Sequence, residues 1–123
     1  MNLGCGYDPL PFVFLSNPSD AIFVDVDFPD LIRHKAQIIR ETPALAEVVD
    51  VNHAETGDEI RSQNYYAVGC DLSDLSKFDA VLRGIAPDLD DIPILFISEV
   101  AITYMVLPPR SFTKTSLPKQ LMP

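Results

Sequence analysis

A chain of 123 residues, 47% hydrophobic and 22% charged, has room for one domain with a real core, and it holds no apolar run near the roughly 20 residues of a membrane span. Nine Lys and Arg against eighteen Asp and Glu leave a net charge of −9, which excludes a preformed phosphate-binding surface; any contact with RNA has to come from elsewhere. Cys5 and Cys70 have neither CxxC spacing nor a neighbouring His, so no zinc site or disulfide framework is expected, and a start without a basic or long apolar stretch points to an intracellular, cytoplasmic setting.

Along the chain, short apolar runs alternate with helical periodicity, the pattern of an α/β fold with a parallel sheet and flanking helices. Residues 1–3 read as the remnant of a first strand that enters the glycine turn Gly4-Cys5-Gly6. A second strand spans 21–27, where Ile22-Phe23-Val24 is apolar and the two-residue period puts Asp25 and Asp27 on one side. A helix follows from Phe28, with Pro29 in its first turn and Phe28, Leu31, Ile32, Ala36 and Ile39 on its apolar face, until Pro43 stops it. Residues 44–49 suit another short helix. Residues 53–64 are polar, contain Gly57 and hold no period, so an exposed, mobile connection is expected.

The third strand, 65–70, leads through Asp71-Leu72-Ser73-Asp74 into a helix capped by Ser73 or Asp74 and buried along Leu75, Phe78, Leu82 and Ile85. After an acidic turn at 87–91 comes the most apolar strand of the chain, 92–98, expected to be central and to end at Glu99. The domain is therefore expected over 1–105, incomplete at both ends. Residues 106–123, punctuated by proline, are expected to be an irregular, disordered tail.

Four features fall just beyond the carboxyl ends of successive strands: Gly4-Cys5-Gly6, Asp27, Asp71-Leu72 and Glu99. In an open parallel sheet that edge is where ligands bind. Glycines allow close backbone approach, and an acid about 20 residues later is placed to accept from two ribose hydroxyls. Asp27 fits that spacing after Gly4, although a helix-start acid favoured by the macrodipole would look the same. Asp71 suits either a turn or an adenine amino group, with Leu72 against the ring. Glu99, ending an apolar strand, suits a cationic ligand group better than a solvated strand end.

The third glycine of a dinucleotide fingerprint is absent, since Pro9 stands in its place, and NAD is disfavoured. Asp8 in the loop would repel phosphate but not a sulfonium. His34 and His53 have no partner for metal or nucleophilic chemistry and are expected at the surface. Asp88, Asp90 and Asp91 lack the glycine and glutamate of a calcium loop, so no metal is expected.

The segments Asn2-Leu3-Gly4-Cys5-Gly6-Tyr7-Asp8-Pro9-Leu10-Pro11-Phe12, Val26-Asp27-Phe28-Pro29, Arg33-His34-Lys35, Ala67-Val68-Gly69-Cys70-Asp71-Leu72-Ser73-Asp74 and Ser98-Glu99-Val100-Ala101-Ile102-Thr103-Tyr104-Met105 resemble, in that order, the leucine carboxyl methyltransferase family. The glycine loop is most similar to the branch that makes wybutosine, which methylates a carboxyl group on a modified guanosine of phenylalanine tRNA. The runner-up is the branch that methylates the terminal leucine of the protein phosphatase 2A catalytic subunit. The resemblance implies a Rossmann-like, S-adenosylmethionine-dependent methyltransferase fold, with Gly4, Asp27, Asp71, Leu72 and Glu99 contacting S-adenosylmethionine and a tRNA or protein carboxylate as substrate.

The basic contact that the family places upstream of the glycine loop has no counterpart here, and the family pattern is not followed after Met105, so an inactive fragment is the third reading. A carboxylate is already anionic at neutral pH, and its attack on a sulfonium methyl needs alignment and desolvation but no general base. The lack of a Ser/His or Cys/His arrangement agrees with that chemistry.

Overall fold

The computed structural model describes residues 1–52 and 56–99. Within them the chain runs β1 (Asn2–Leu3), α1 (Leu10–Leu15), β2 (Phe23–Asp27), α2 (Pro29–Glu41), α3 (Pro43–Val48), β3 (Ile60–Arg61), β4 (Tyr65–Gly69) and α4 (Leu75–Ile85). The sheet order is β1-β2-β4-β3. Strands β1, β2 and β4 are parallel, with Leu3 beside Val26 and Asp27 beside Gly69, whereas β3 is antiparallel to β4.

The period-2 pattern of the strands explains why the sheet is covered on both sides. Phe23, Tyr65, Ala67 and Ile60 pack with Ile32, Ala36 and Ile39 of α2, with Val49 and Val51 after α3, and with Leu10, Phe12 and Leu15 around α1. Val24, Val26, Val68 and Leu3 point the other way and pack with Phe78 and Leu82 of α4 and with Leu89. The expected α/β class, a parallel sheet with flanking helices, is thus present.

Local chemistry sets the helix ends. Pro29 and Pro43 open α2 and α3, where a missing N–H costs nothing, and Asp74 caps α4 by accepting the Lys77 N–H at 3.1 Å. Gly69 is required for close packing: a Cβ there would lie 2.8 Å from Cα of Pro29, so β4 and the start of α2 meet backbone to backbone.

Four features depart from the sequence reading. Residues 10–15 form α1, where no element was expected, with Pro9 before it and Pro11 in its first turn. Residues 56–64 are more ordered than a solvent-exposed connection. Arg40 of α2 donates to the carbonyls of Gly57 at 2.6 Å and Glu59 at 2.7 Å, Glu59 accepts the Gly69 N–H at 2.8 Å, and Ile60 pairs with Ala67. Phe28 caps α2 and is 60% exposed rather than lying on the buried face.

The fourth concerns residues 92–98, which are not a central strand. They join the sheet beside β1 through one parallel bridge between Asn2 and Ile97, with Leu3 N–H donating to Ile97 O at 2.8 Å. Ile97 N–H also donates to Met1 O at 2.8 Å and the Met1 amino group to Leu95 O at 2.7 Å, while Ile94 and Phe96 are half-buried and Leu95 is exposed. His53 and the tail expected over 106–123 lie outside the described residues.

Candidate cofactor site

The glycine turn leaves β1 along an irregular path. Gly4 and Gly6 have φ of 67° and 53°, in the left-handed region, and no atom lies within 4 Å of where a Cβ on Gly6 would be. For Gly6, then, glycine is needed for its conformation rather than for space. Val26 O receives both the Gly4 N–H at 2.8 Å and the Cys5 N–H at 3.2 Å, fixing the turn against the end of β2.

Asp27, the last residue of β2, binds this turn directly. Its Oδ2 accepts the Gly6 N–H at 2.9 Å and its Oδ1 accepts the Phe28 N–H at 2.7 Å. A carboxylate has about four acceptor positions, so two donors bound this way orient the group and leave a position on each oxygen. That is the donor-poor, acceptor-rich arrangement that two vicinal hydroxyls require. The residues fit a ribose.

Asp71 follows β4 by two residues and is exposed. Its Oδ1 accepts the Ser73 N–H at 2.9 Å and the Ser73 hydroxyl at 2.6 Å, and these bonds hold the carboxyl below the usual carboxylate range. Leu72 is half-buried against the core layer of α4. Glu99 is exposed and stands two residues beyond Ile97, the bridge partner of Asn2.

Register therefore puts Asp27 at, and Gly4, Asp71, Leu72 and Glu99 just beyond, the carboxyl ends of neighbouring parallel rows, and Cys70 N–H donating to Asp27 O at 2.8 Å ties two of those rows together. The turn and Asp27 are in direct contact. Among the described residues, Asp71 and Glu99 share the edge without hydrogen bonding to the turn.

Sequence reasoning missed the layer beneath. Lys35 of α2 is 3% exposed and Asp25 of β2 is 0% exposed, and they form an ion pair at 2.7 Å. Tyr65 donates its hydroxyl to the same Asp25 oxygen at 2.6 Å. Burial pushes the Asp25 carboxyl up against the opposing pull of Lys35 and Tyr65, and burial also pushes the Tyr65 hydroxyl up.

Cys5 lies in the field of both charges, and burial first, then Asp25, push its thiol up to about 12. The signal was present: Lys35 sits three residues after Ile32 and four before Ile39, on the buried stripe, and Asp25 interrupts an apolar strand. An acid and a base so placed on facing elements have to pair.

Asp8, the one charge of the loop, is engaged on both carboxylate oxygens. Its Oδ2 accepts from the Asn2 side chain at 3.1 Å and its Oδ1 accepts the Leu10 N–H at 3.0 Å. His34 is exposed as expected but not isolated, with Nδ1 2.8 Å from the Tyr7 hydroxyl and the rings edge to face. Both cysteines are free and buried. Among the described residues no group of three His, Cys, Asp or Glu is arranged to hold a metal, and no helix is long and apolar enough to cross a membrane.

Comparison with known proteins gives the family of the chain. Residues 1–114 match the model of the family described as leucine carboxyl methyltransferase, a match that runs past Met105. Among curated proteins, the chain is 43% identical over 113 residues to a tRNA wybutosine-synthesizing protein 4 of Emericella nidulans, covering 85% of the chain and 10% of that protein. Proteins of the same name from Eremothecium gossypii and Schizosaccharomyces pombe are 39% and 41% identical, each over 85% of the chain and 16% of the relative. The chain thus spans about a tenth to a sixth of the length of these relatives. It belongs to the leucine carboxyl methyltransferase family.

Proposed function

We propose that this segment is the S-adenosylmethionine-binding part of a carboxyl methyltransferase of the wybutosine type, acting on a carboxylate of a modified guanosine in phenylalanine tRNA. The observation that carries the reading is the hydrogen bond from Gly6 N–H to Asp27, which presents an oriented carboxylate at the ligand edge of a parallel sheet. Gly4 allows close approach of the cofactor, Asp27 accepts from its ribose hydroxyls, and Asp71 with Leu72 receives the adenine at its amino edge and its face. Glu99 attracts the cationic methionyl end. The cofactor supplies an electrophilic methyl group on a sulfonium, and a substrate carboxylate needs no base to attack it.

Substrate binding belongs to residues beyond this site. Among the described residues, Lys35 is committed to Asp25, Arg40 donates to two carbonyls, Arg33, Arg61 and Arg83 pair with surface acids, and Lys77 lies in the field of Asp71. With a net charge of −9 as well, the described residues present no cluster of cations for a tRNA backbone or a substrate carboxylate.

The test is calorimetric titration of the chain with S-adenosylmethionine and with NAD, beside methyl-transfer assays on tRNA and on a leucine-terminated peptide. Binding of S-adenosylmethionine but not NAD, with no turnover on either acceptor, is the expected result. A preference for NAD removes the cofactor reading. Turnover on the peptide alone replaces the tRNA substrate with a protein one, and turnover on either acceptor removes the argument that the clamps lie elsewhere.

A further inference from the structure

We infer that Lys35 is the positioning residue of the glycine turn, its buried ammonium tying the turn to β2 and so setting the cofactor affinity of the site. The consequence for affinity rests on the proposed cofactor; the hold on the turn rests on geometry alone. Lys35 Nζ donates to Asp25 Oδ2 at 2.7 Å and also reaches the main-chain carbonyl of Asp8 at 3.4 Å. Asp8 is the junction at which β1, through Asn2, and the first residue of α1, through Leu10 N–H, meet the turn. The Asp8 N–H closes the turn on Cys5 O at 3.1 Å. The residue before Lys35 makes a parallel contact, since His34 meets the hydroxyl of Tyr7. Successive residues of α2 thus hold successive residues of the turn.

A buried ion pair alone is a weak reason to keep two charges out of water, because apolar residues of similar volume commonly do as well. What an apolar pair cannot reproduce is a donor to the Asp8 carbonyl. The turn also needs such a donor, because Gly4 and Gly6 sit at positive φ and glycine gives up the most conformational freedom on ordering. Asp27 restrains the turn from the ligand side and Lys35 from the core side.

The experiment uses the double variant Lys35→Met, Asp25→Asn, which removes both charges together, leaves no unpaired buried ion and keeps an acceptor for Tyr65. Amide hydrogen exchange of Cys5, Gly6 and Asp8 is followed beside that of Ala67 and Val68 in β4, with calorimetric titration of S-adenosylmethionine. The expected result is exchange in the turn faster by about tenfold, unchanged protection in β4 and affinity weaker by about tenfold. Unchanged exchange in the turn overturns the assignment. Loss of protection in β4 also overturns it, because the pair would then serve the whole fold. Faster turn exchange with unchanged affinity refutes the part concerning the cofactor. Failure of the unmodified chain to bind S-adenosylmethionine, with a turn that still loosens in the variant, defeats the proposed cofactor and leaves the hold of Lys35 on the turn in place.

Discussion

The Gly6 N–H donates to Asp27 Oδ2 at 2.9 Å, so the turn after β1 and the acid ending β2 form one unit across 21 residues of sequence. Each stabilises the other: the glycine conformation aims the N–H, and the carboxylate gives that donor a charged partner. With one N–H bound to each oxygen, the carboxylate is oriented and keeps an acceptor position on each oxygen.

Asp27→Ala removes the acceptor for Gly6 N–H and for the proposed ribose contact. Charged hydrogen bonds of about 1.5–3 kcal/mol each are lost, so S-adenosylmethionine binding is expected to weaken at least about tenfold by calorimetry. Asp27→Asn retains one carbonyl acceptor and is expected to fall between the two. Equal affinity in the unmodified chain and Asp27→Ala would sink the ribose assignment.

Glu99→Gln keeps the shape and a hydrogen-bonding carbonyl while removing the charge. If Glu99 attracts the cationic end of the cofactor, the variant binds more weakly, and the difference shrinks in higher salt because the side chain is exposed and screened. A difference that is absent at low salt refutes the role.

The features legible in the sequence were those that depend on neighbours along the chain. The alternation in 23–27 and 65–69, the stripe Ile32, Ala36, Ile39, the cap at Asp74 and the glycine turn all follow local rules, and the sheet edge they define followed from them. What stayed hidden depends on partners far away. β3 is two residues long and exists because Ile60 and Arg61 meet β4 while Arg40 holds the preceding carbonyls, none of which leaves a periodic trace. The apolar run 92–98 reads as a central strand, but it meets the sheet at its β1 side through the bridge between Asn2 and Ile97. Lys35 stands on the apolar stripe of α2, but its partner is identified only once Asp25 is placed opposite it.

Two glycines of opposite environment test the packing of β4 on α2. Gly69→Ala puts a Cβ 2.8 Å from backbone Cα of Pro29 and 3.1 Å from its Cβ, and neither can swing aside. A loss of about 1–3 kcal/mol in urea unfolding is expected, by overpacking. Gly84→Ala, inside α4 with nothing within 4 Å of the new Cβ, is expected to stabilise by roughly 0.5–1 kcal/mol through helix propensity. A Gly69→Ala variant as stable as the unmodified chain would contradict the close approach.

Alkaline pH should destabilise the protein in part through Cys5. Its thiol is pushed from 9.0 up to about 12 in the folded state, chiefly by burial and then by Asp25, and the side chain is 5% exposed. A folded pKa above the unfolded one means that the folded state holds its proton more tightly. The corresponding stability is fully present below pH 9 and is lost as pH rises toward 12, because only the unfolded chain ionises over that window. At pH 10 the loss from this thiol is roughly 1–2 kcal/mol, and Tyr65, pushed upward by burial and by Asp25, adds to the same slope above its ordinary range. Urea unfolding at pH 7, 9 and 10 measures the slope. Cys5→Ala removes the thiol's share, so the variant is expected to lose less stability between pH 9 and 10, even if the missing sulfur lowers its stability at pH 7. The same thiol, ionised to about one part in ten thousand at pH 8, should resist iodoacetamide in the folded chain and react once urea unfolds it. A pH slope identical in Cys5→Ala and the unmodified chain, or rapid alkylation of Cys5 without denaturant, would show that the thiol is not held beneath the glycine turn beside Asp25.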